Sequence, residues 1–303
     1  MKSAVALPIT PSLAQTRVAD YAQLVRPRLA LLVLATTAAS WRLAAREDAA
    51  LLPLMCAMVG TALLFAGASA LNQLLERNTD ALMQRTANRP LPAGRIQTGS
   101  VLILGCGLSA LGLAVLLAIG QPLAAGLGAF ALVAYVLVYT PLKTVTTLNT
   151  LIGAIPGAVP ALIGWAAARG RLDAGALAMF LMVFLWQIPH FLAIAWMYRD
   201  EYAAAGLHML PVFDPSGVET GRQMVRYTLI LTLAGLLPSL IGVCSWLMGL
   251  GALVLGAMFV ERTVRFARHC TTSAARQVFH GSLVYLSALL VLFVLDTTLW
   301  SGR

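Results

Sequence analysis

The chain has 303 residues, 59% hydrophobic and only 11% charged, with a formal net charge of +9. So few charges cannot cover a soluble globule of this length, and a multi-pass membrane protein is the class that remains. The basic residues are scattered over short segments, which fits membrane orientation and attraction to anionic lipid and gives no footprint for nucleic acid.

Uncharged runs recur from end to end, at 29–41, 49–75, 96–142, 144–168, 174–198, 227–260 and 277–295. A hydrocarbon core of ~30 Å takes roughly 20 apolar residues per helix. The first run is short and flanked by Arg28 and Arg42. The run 96–142 holds Gly120-Gln121-Pro122 near its middle, a turn signal that makes it two helices. The run 227–260 exceeds one span and divides near Cys244 to Gly249. The expectation is an all-α transmembrane bundle of about nine helices, a single domain over 1–303, with 1–23 as a polar cytoplasmic N-terminal segment.

Charge topology decides between eight helices and nine, because Lys and Arg prefer the cytoplasmic side. With nine helices and the N-terminus inside, sixteen of the 21 basic residues face the cytoplasm. Arg42, Arg46, Arg169, Arg171 and Arg303 face out. Eight helices would place the cluster from Arg262 to Arg276 outside. Cys56, Cys106, Cys244 and Cys270 stand far apart with no metal-type spacing and read as packing residues. The first fifteen residues hold two prolines and no apolar core of a cleaved signal, so a bacterial inner membrane is the simplest address.

The densest chemistry lies between Leu71 and Leu91, where Asn72, Glu76, Arg77, Asp80, Arg85, Asn88 and Arg89 arrive as a spanning helix leaves the bilayer. Ionisable groups at that depth are costly and read as function. If the helix continues to about residue 80, Asn72, Glu76 and Asp80 stand at i, i+4 and i+8 on one face. Two carboxylates and an amide oxygen are hard ligands that suit Mg²⁺, an ion usually shared with substrate phosphates. Arg85 and Arg89 offer planar forks for phosphate oxygens, and Lys143, in the loop after Tyr139-Thr140-Pro141, adds a third cation.

A second acidic point follows the sixth helix, where Trp186, Gln187, Pro189 and His190 precede Asp200, Glu201 and Tyr202. If that helix runs on, Gln187, His190 and Glu201 share one side, and Pro189 should kink it. Gly153 and Gly157 form a small-xxx-small pair for close helix approach. The two acidic points suggest two four-helix units plus a ninth helix, with both clusters at one mouth.

These residues resemble the haem O synthase (protohaem IX farnesyltransferase) family of UbiA-type intramembrane prenyltransferases. The resemblance covers nearly the whole chain. It rests on Leu71-Asn72 to Met83, Arg85-Thr86, Asn88 to Leu91, Tyr139 to Lys143, Asn149, Trp186-Gln187, Pro189 to Phe191, Tyr202, Ala205-Gly206, Met209 to Pro211 and Arg26-Pro27-Arg28. It implies a UbiA-type fold and catalytic residues Asn72, Glu76, Asp80, Asp200 and Glu201. Asn72, Glu76, Asp80 and Glu201 would hold Mg²⁺, and Arg85, Arg89 and Lys143 the diphosphate. Glu76 stands where the family usually has Asp, and Asn78 where a further acid is common.

The implied substrates are farnesyl diphosphate and haem b. The 2-vinyl group of haem b attacks C1 of the farnesyl chain, water adds to the resulting cation, and haem O and diphosphate leave. Gln187 and His190 are the candidates for positioning the macrocycle, and a haem A synthase or an oxidase assembly factor is the implied protein partner. Two rivals compete: a sister prenyltransferase acting on an aromatic quinone precursor, and a secondary transporter, whose ionisable groups belong near the bilayer centre.

Overall fold

The computed structural model describes residues 13–45, 50–118 and 121–299. Lys2, Arg46 and Arg303, together with Ile119 and Gly120 of the expected break, lie outside the described residues, as does the start of the expected 1–23 segment. Helix α1 (Leu13–Val25) takes up the rest of that segment. The long helices follow as α2 (Pro27–Ala44), α3 (Leu51–Leu75), α4 (Thr98–Ala118), α5 (Pro122–Leu142), α6 (Asn149–Arg169), α7 (Ala174–Met197), α8 (Val218–Leu240), α9 (Trp246–His269) and α10 (Thr272–Leu299).

Eight of these, α3 to α10, are long and apolar enough to cross a membrane. The 18-residue α2, which carries Arg28 and Arg42 near its two ends, is the ninth long helix among the described residues. The all-helical bundle expected from composition is therefore the fold. The helices exceed the uncharged runs at their ends: α8 starts at Val218, before Arg222 and Arg226, and α9 runs on to His269. Charged side chains at helix ends reach the interface while the backbone stays helical, so charge alone marks a boundary too early.

Local chemistry punctuates the bundle. Pro27 and Pro122 open α2 and α5, where a missing N–H costs nothing. Asp173 caps α7 by accepting from the N–H groups of Gly175 and Ala176, and Gly170 closes α6 in the left-handed region. Ser245 caps α9, and Asp296 of α10 accepts from its N–H and hydroxyl, which fixes the division of the 227–260 run at Cys244-Ser245.

Lipid replaces water as the outer solvent. Ile103, Leu137, Leu177, Leu233, Leu247 and Val291 are all more than half exposed, while polar residues such as Ser40, Asn72, Thr140 and Gln187 are buried. The seam between α3 and α4 is lined by Gly60, Gly67, Gly105, Ser109 and Gly112, where a side chain on any of the glycines would meet the facing helix. The same economy acts in α6: Gly153 leaves room for the Tyr139 ring and Gly157 for the Gln187 amide.

Candidate active site

The last turn of α3 buries Asn72, whose Nδ2 donates to Thr140 Oγ1 at 3.0 Å. The expected straight ladder to Asp80 is interrupted: α3 ends at Leu75, Glu76 leaves helical geometry at φ −87°, ψ 3°, and a separate turn spans Arg77–Asp80. Thr86 Oγ1 then donates to the Asp80 carbonyl at 2.8 Å, folding the chain back so that Arg89 Nη1 reaches Asp80 Oδ2 at 2.6 Å. Asn72, Glu76 and Asp80 still line one cavity. Their convergence comes from this folded-back loop and not from a continuous helix.

Helix α5 supplies the opposite wall. Residues Ala134–Tyr139 form a π-helical stretch in which the Thr140 N–H and hydroxyl both donate to Tyr135 O. Such bulges recur at functional sites. Lys143 follows directly, with Nζ 2.5 Å from Glu76 Oε1 and 4.4 Å above the Tyr139 ring. Its carbonyl accepts from the His208 N–H, and Asn149 Nδ2 donates to His208 O. These bonds tie the Lys143 loop to residues 207–209, of which Leu207 and Met209 also line the cavity.

The second acidic point comes to the same mouth, but by a different route from the one its spacing suggests. Helix α7 runs through Pro189 and stops at Met197; Tyr198 is non-helical, and Arg199–Ala204 starts a new turn. The angular count from His190 to Glu201 therefore fails, because it assumed one unbroken helix. Glu201 Oε2 accepts from the Arg85 N–H at 3.0 Å, bridging the two acid-bearing segments. The Asp200 side chain is 99% exposed, and its only ion pair among the described residues is a long contact with Arg199 at 3.7 Å.

Gln187 and His190 part company as well. Gln187 is buried and lines the cavity, its Nε2 donating to Ala154 O and Val183 O. His190 is not among the cavity-lining residues. It is stacked between Trp186 and Phe279 and bonded through Nδ1 to Ser282 Oγ of α10 at 2.7 Å. Three residues leave the two side chains only about 60° apart around the helix, so it is the packing of α10 against His190, not the helical angle, that separates them.

The cavity has a volume of about 420 Å³. Its mouth carries Arg26, Arg85, Arg89 and Lys143 against Glu76 and Asp80, and below them the lining is mostly apolar, with Thr36, Thr61, Ser69 and Gln187 among its polar members. Both ion pairs are largely buried, Arg89–Asp80 at 20% and 2% side-chain exposure and Lys143–Glu76 at 12% and 14%. Burial outweighs the neighbouring arginine and pushes the Asp80 carboxyl above its usual range, while burial lowers Arg89. Burial opposes the Lys143 charge too, but the Tyr139 and Glu76 groups beside it hold the amine above the ordinary lysine value.

Two guanidiniums remain outside these pairs. Arg85 lies over the Tyr198 ring at 4.8 Å and within 3.5 Å of the Tyr202 hydroxyl. Arg26 has no ion pair among the described residues and takes a left-handed backbone at φ 49°. Arg26 and the Tyr135–Tyr139 pair carried no role in the sequence reading. Their signal was there: Tyr135, Tyr139 and Lys143 repeat the four-residue spacing of Asn72, Glu76 and Asp80. The charged groups of the mouth follow helix ends, unlike the mid-depth placement a transporter requires.

This arrangement has known relatives. Residues 33–293 match the UbiA prenyltransferase family. The protoheme IX farnesyltransferase of Solibacter usitatus (strain Ellin6076) is 43% identical, over 91% of this chain and 98% of its own. That of Opitutus terrae (strain DSM 11246 / JCM 15787 / PB90-1) is 40% identical, over 95% and 97%. Among solved structures, a UbiA homolog from Archaeoglobus fulgidus bound to DMAPP and Mg²⁺ shares the fold with a TM-score of 0.68, at 18% identity over 90% of this chain and 99% of that one. The chain belongs to the UbiA prenyltransferase family, among its protohaem IX farnesyltransferases.

Proposed function

We propose that the chain transfers the farnesyl group of farnesyl diphosphate to the 2-vinyl group of haem b, with addition of water, giving haem O and diphosphate. The observation that carries this reading is a single cavity with a ring of paired charges at its mouth and an apolar chamber beneath. A diphosphate belongs in the first and an isoprenoid in the second. The names of the relatives from Solibacter usitatus and Opitutus terrae support the acceptor. In this reading the mouth opens to the cytoplasm of a bacterial inner membrane, and 1–303 is one domain.

Asn72, Glu76, Asp80 and Glu201 are the residues for Mg²⁺. Among the described residues no three acids stand together around one point, and each carboxylate has a protein partner, so the ligands would close on the ion only with phosphate oxygens that draw Arg89 and Lys143 away. The oxygen-only donor set suits a hard cation that completes its shell in that way. The Archaeoglobus fulgidus homolog, bound to Mg²⁺ and DMAPP, supports that role by analogy of fold. When bound, the metal supplies Lewis-acid neutralisation of charge on the departing diphosphate. Arg85, Arg89 and Lys143 then exchange their present partners for phosphate oxygens, so the substrate inherits donors already held in place. The apolar walls keep bulk water from the allylic cation until the vinyl group captures it. Gln187, anchored by two backbone carbonyls, positions the macrocycle, and Asp200 stands on the rim.

The test is mass spectrometry of haem extracted after incubating membranes containing the chain with haem b, farnesyl diphosphate and Mg²⁺. Haem carrying a hydroxyethylfarnesyl group is the expected product. Unmodified haem, together with a prenylated product when an aromatic acid is added as the competing acceptor, would move the chain to the quinone branch.

A further inference from the structure

The cavity ends at a common depth. On α3 the deepest lining residue is Thr61, and on α5 it is Gly128. Each stands fifteen residues from its member of the Glu76–Lys143 pair, which places the lower limit about 22 Å beneath that pair at 1.5 Å per residue. Ile163 of α6, Val183 of α7 and Leu286 of α10 reach the same layer from other sides.

Leu64, its side chain leaning toward the N-terminus of α3, covers that layer, and Leu116 packs behind it without lining the cavity. Leu64 lines the cavity and is 6% exposed; Leu116 is fully buried in the same apolar cluster. Both are cradled by glycines. A methyl group on Gly128 would stand 2.6 Å from Leu64 Cδ1 and 3.2 Å from Leu116 Cδ1, one on Gly112 2.9 Å from Leu64 Cγ, and one on Gly60 2.7 Å from Leu116 Cγ. Each leucine is thus pinned by the absence of side chains around it, and close packing leaves no slack for it to yield.

We propose, resting on the function above, that Leu64 and Leu116 form a floor that measures the isoprenoid tail and selects three units. With carbon–carbon bonds of about 1.5 Å, an extended twelve-carbon main chain spans ~14 Å and a sixteen-carbon one ~19 Å. Adding ~5 Å for the bonds to the distal phosphorus, the first fits above the floor and the second does not. Gly128 sets the shape of the floor, because a Cβ there would stand 2.6 Å from Leu64 Cδ1 and force that side chain to shift.

The experiment uses the full chain in lipid nanodiscs with Mg²⁺. Binding of geranyl, farnesyl and geranylgeranyl S-thiolodiphosphates is measured by calorimetry, and haem products from the three ordinary diphosphates by mass spectrometry. The wild-type chain should bind the farnesyl analogue about tenfold or more tighter than the geranylgeranyl one. Leu64→Ala, with Leu116→Ala as the second variant, should erase that gap while keeping farnesyl binding. Gly128→Ala should cost the farnesyl analogue about tenfold relative to the geranyl one. A wild-type chain that binds both longer analogues equally, with the tail leaving sideways between helices, overturns the proposal. So does an unchanged ratio in both leucine variants. The expected binding order without any farnesylated haem would uphold the floor and reject the proposed reaction.

Discussion

The two acid-bearing segments at the mouth, 76–89 and 199–202, look alike in sequence and differ in the fold. In the first, Glu76 and Asp80 are sunk beneath their helix end and each is claimed by one cation, Lys143 or Arg89. In the second, Asp200 lies in solvent and Glu201 enters only by accepting a backbone N–H from Arg85. Burial separates them: a buried charge must be paired and is strongly coupled to its surroundings, whereas an exposed one is screened and weakly coupled. The first segment is built to hand its charges to a ligand. The second brackets it.

The sharpest way to break this contrast is to compare matched carboxylate losses. Asp80→Asn should cut turnover by about a hundredfold or more, in protein that still folds and inserts, while Asp200→Asn should stay within about twofold, as surface charges do. Equal losses in the two variants would abolish the distinction. Next comes Lys143→Met, which strands Glu76 beneath the mouth and should cost about 3 kcal/mol of stability. Adding Glu76→Gln should return most of it, as judged by thermal unfolding in detergent, and a double variant no more stable than the single one would show that the pair is not energetically coupled.

A smaller effect is expected for Glu201→Gln, which weakens both one proposed Mg²⁺ ligand and the bond to the Arg85 amide: about a tenfold rise in KM for the diphosphate donor, with haem KM unchanged. Along α7, Gln187→Ala should raise haem KM at near-normal stability. His190→Ala should lower stability and reduce haem use and diphosphate release together, since its contacts are Trp186, Phe279 and Ser282. A selective loss of haem use in His190→Ala would return that residue to the site.

The smallest effect tests a region far from the mouth. Asp173→Ala removes the cap of α7 and should cost about 1 kcal/mol. Although burial pulls the other way, the Ala176 and Gly175 amides and Arg169 hold the Asp173 carboxyl below the usual range. Its contribution is therefore present above the unfolded carboxyl's pKa and lost as pH falls through the folded one. Unfolding temperatures of wild type and variant should converge in acid; a constant gap would remove the carboxylate from the cap.

Much of this molecule was legible one residue at a time. Uncharged runs gave α3 to α10, because the bilayer demands length and apolarity and nothing more specific. The charges of 72–89 stood out because hydrocarbon makes them costly. Helix counting failed where the backbone left the helix, at Glu76 and Tyr198, since both steps depend on bonds from distant residues: Thr86 to Asp80, and Arg85 to Glu201. Periodicity could not separate Gln187 from His190 either, because only the neighbours of α7, not its own sequence, say which face meets the cavity and which meets α10.

By itself the sequence determined the solvent this chain folds in, its helical elements and the chemical types gathered at one end, all consequences of local hydrophobicity and charge. Only the tertiary structure decided which acid meets which cation, which histidine turns away and how deep the chamber runs. Those outcomes depend on glycine-to-side-chain contacts such as Gly128 against Leu64 and Gly157 against Gln187, which join residues far apart in the chain and carry no signature along it.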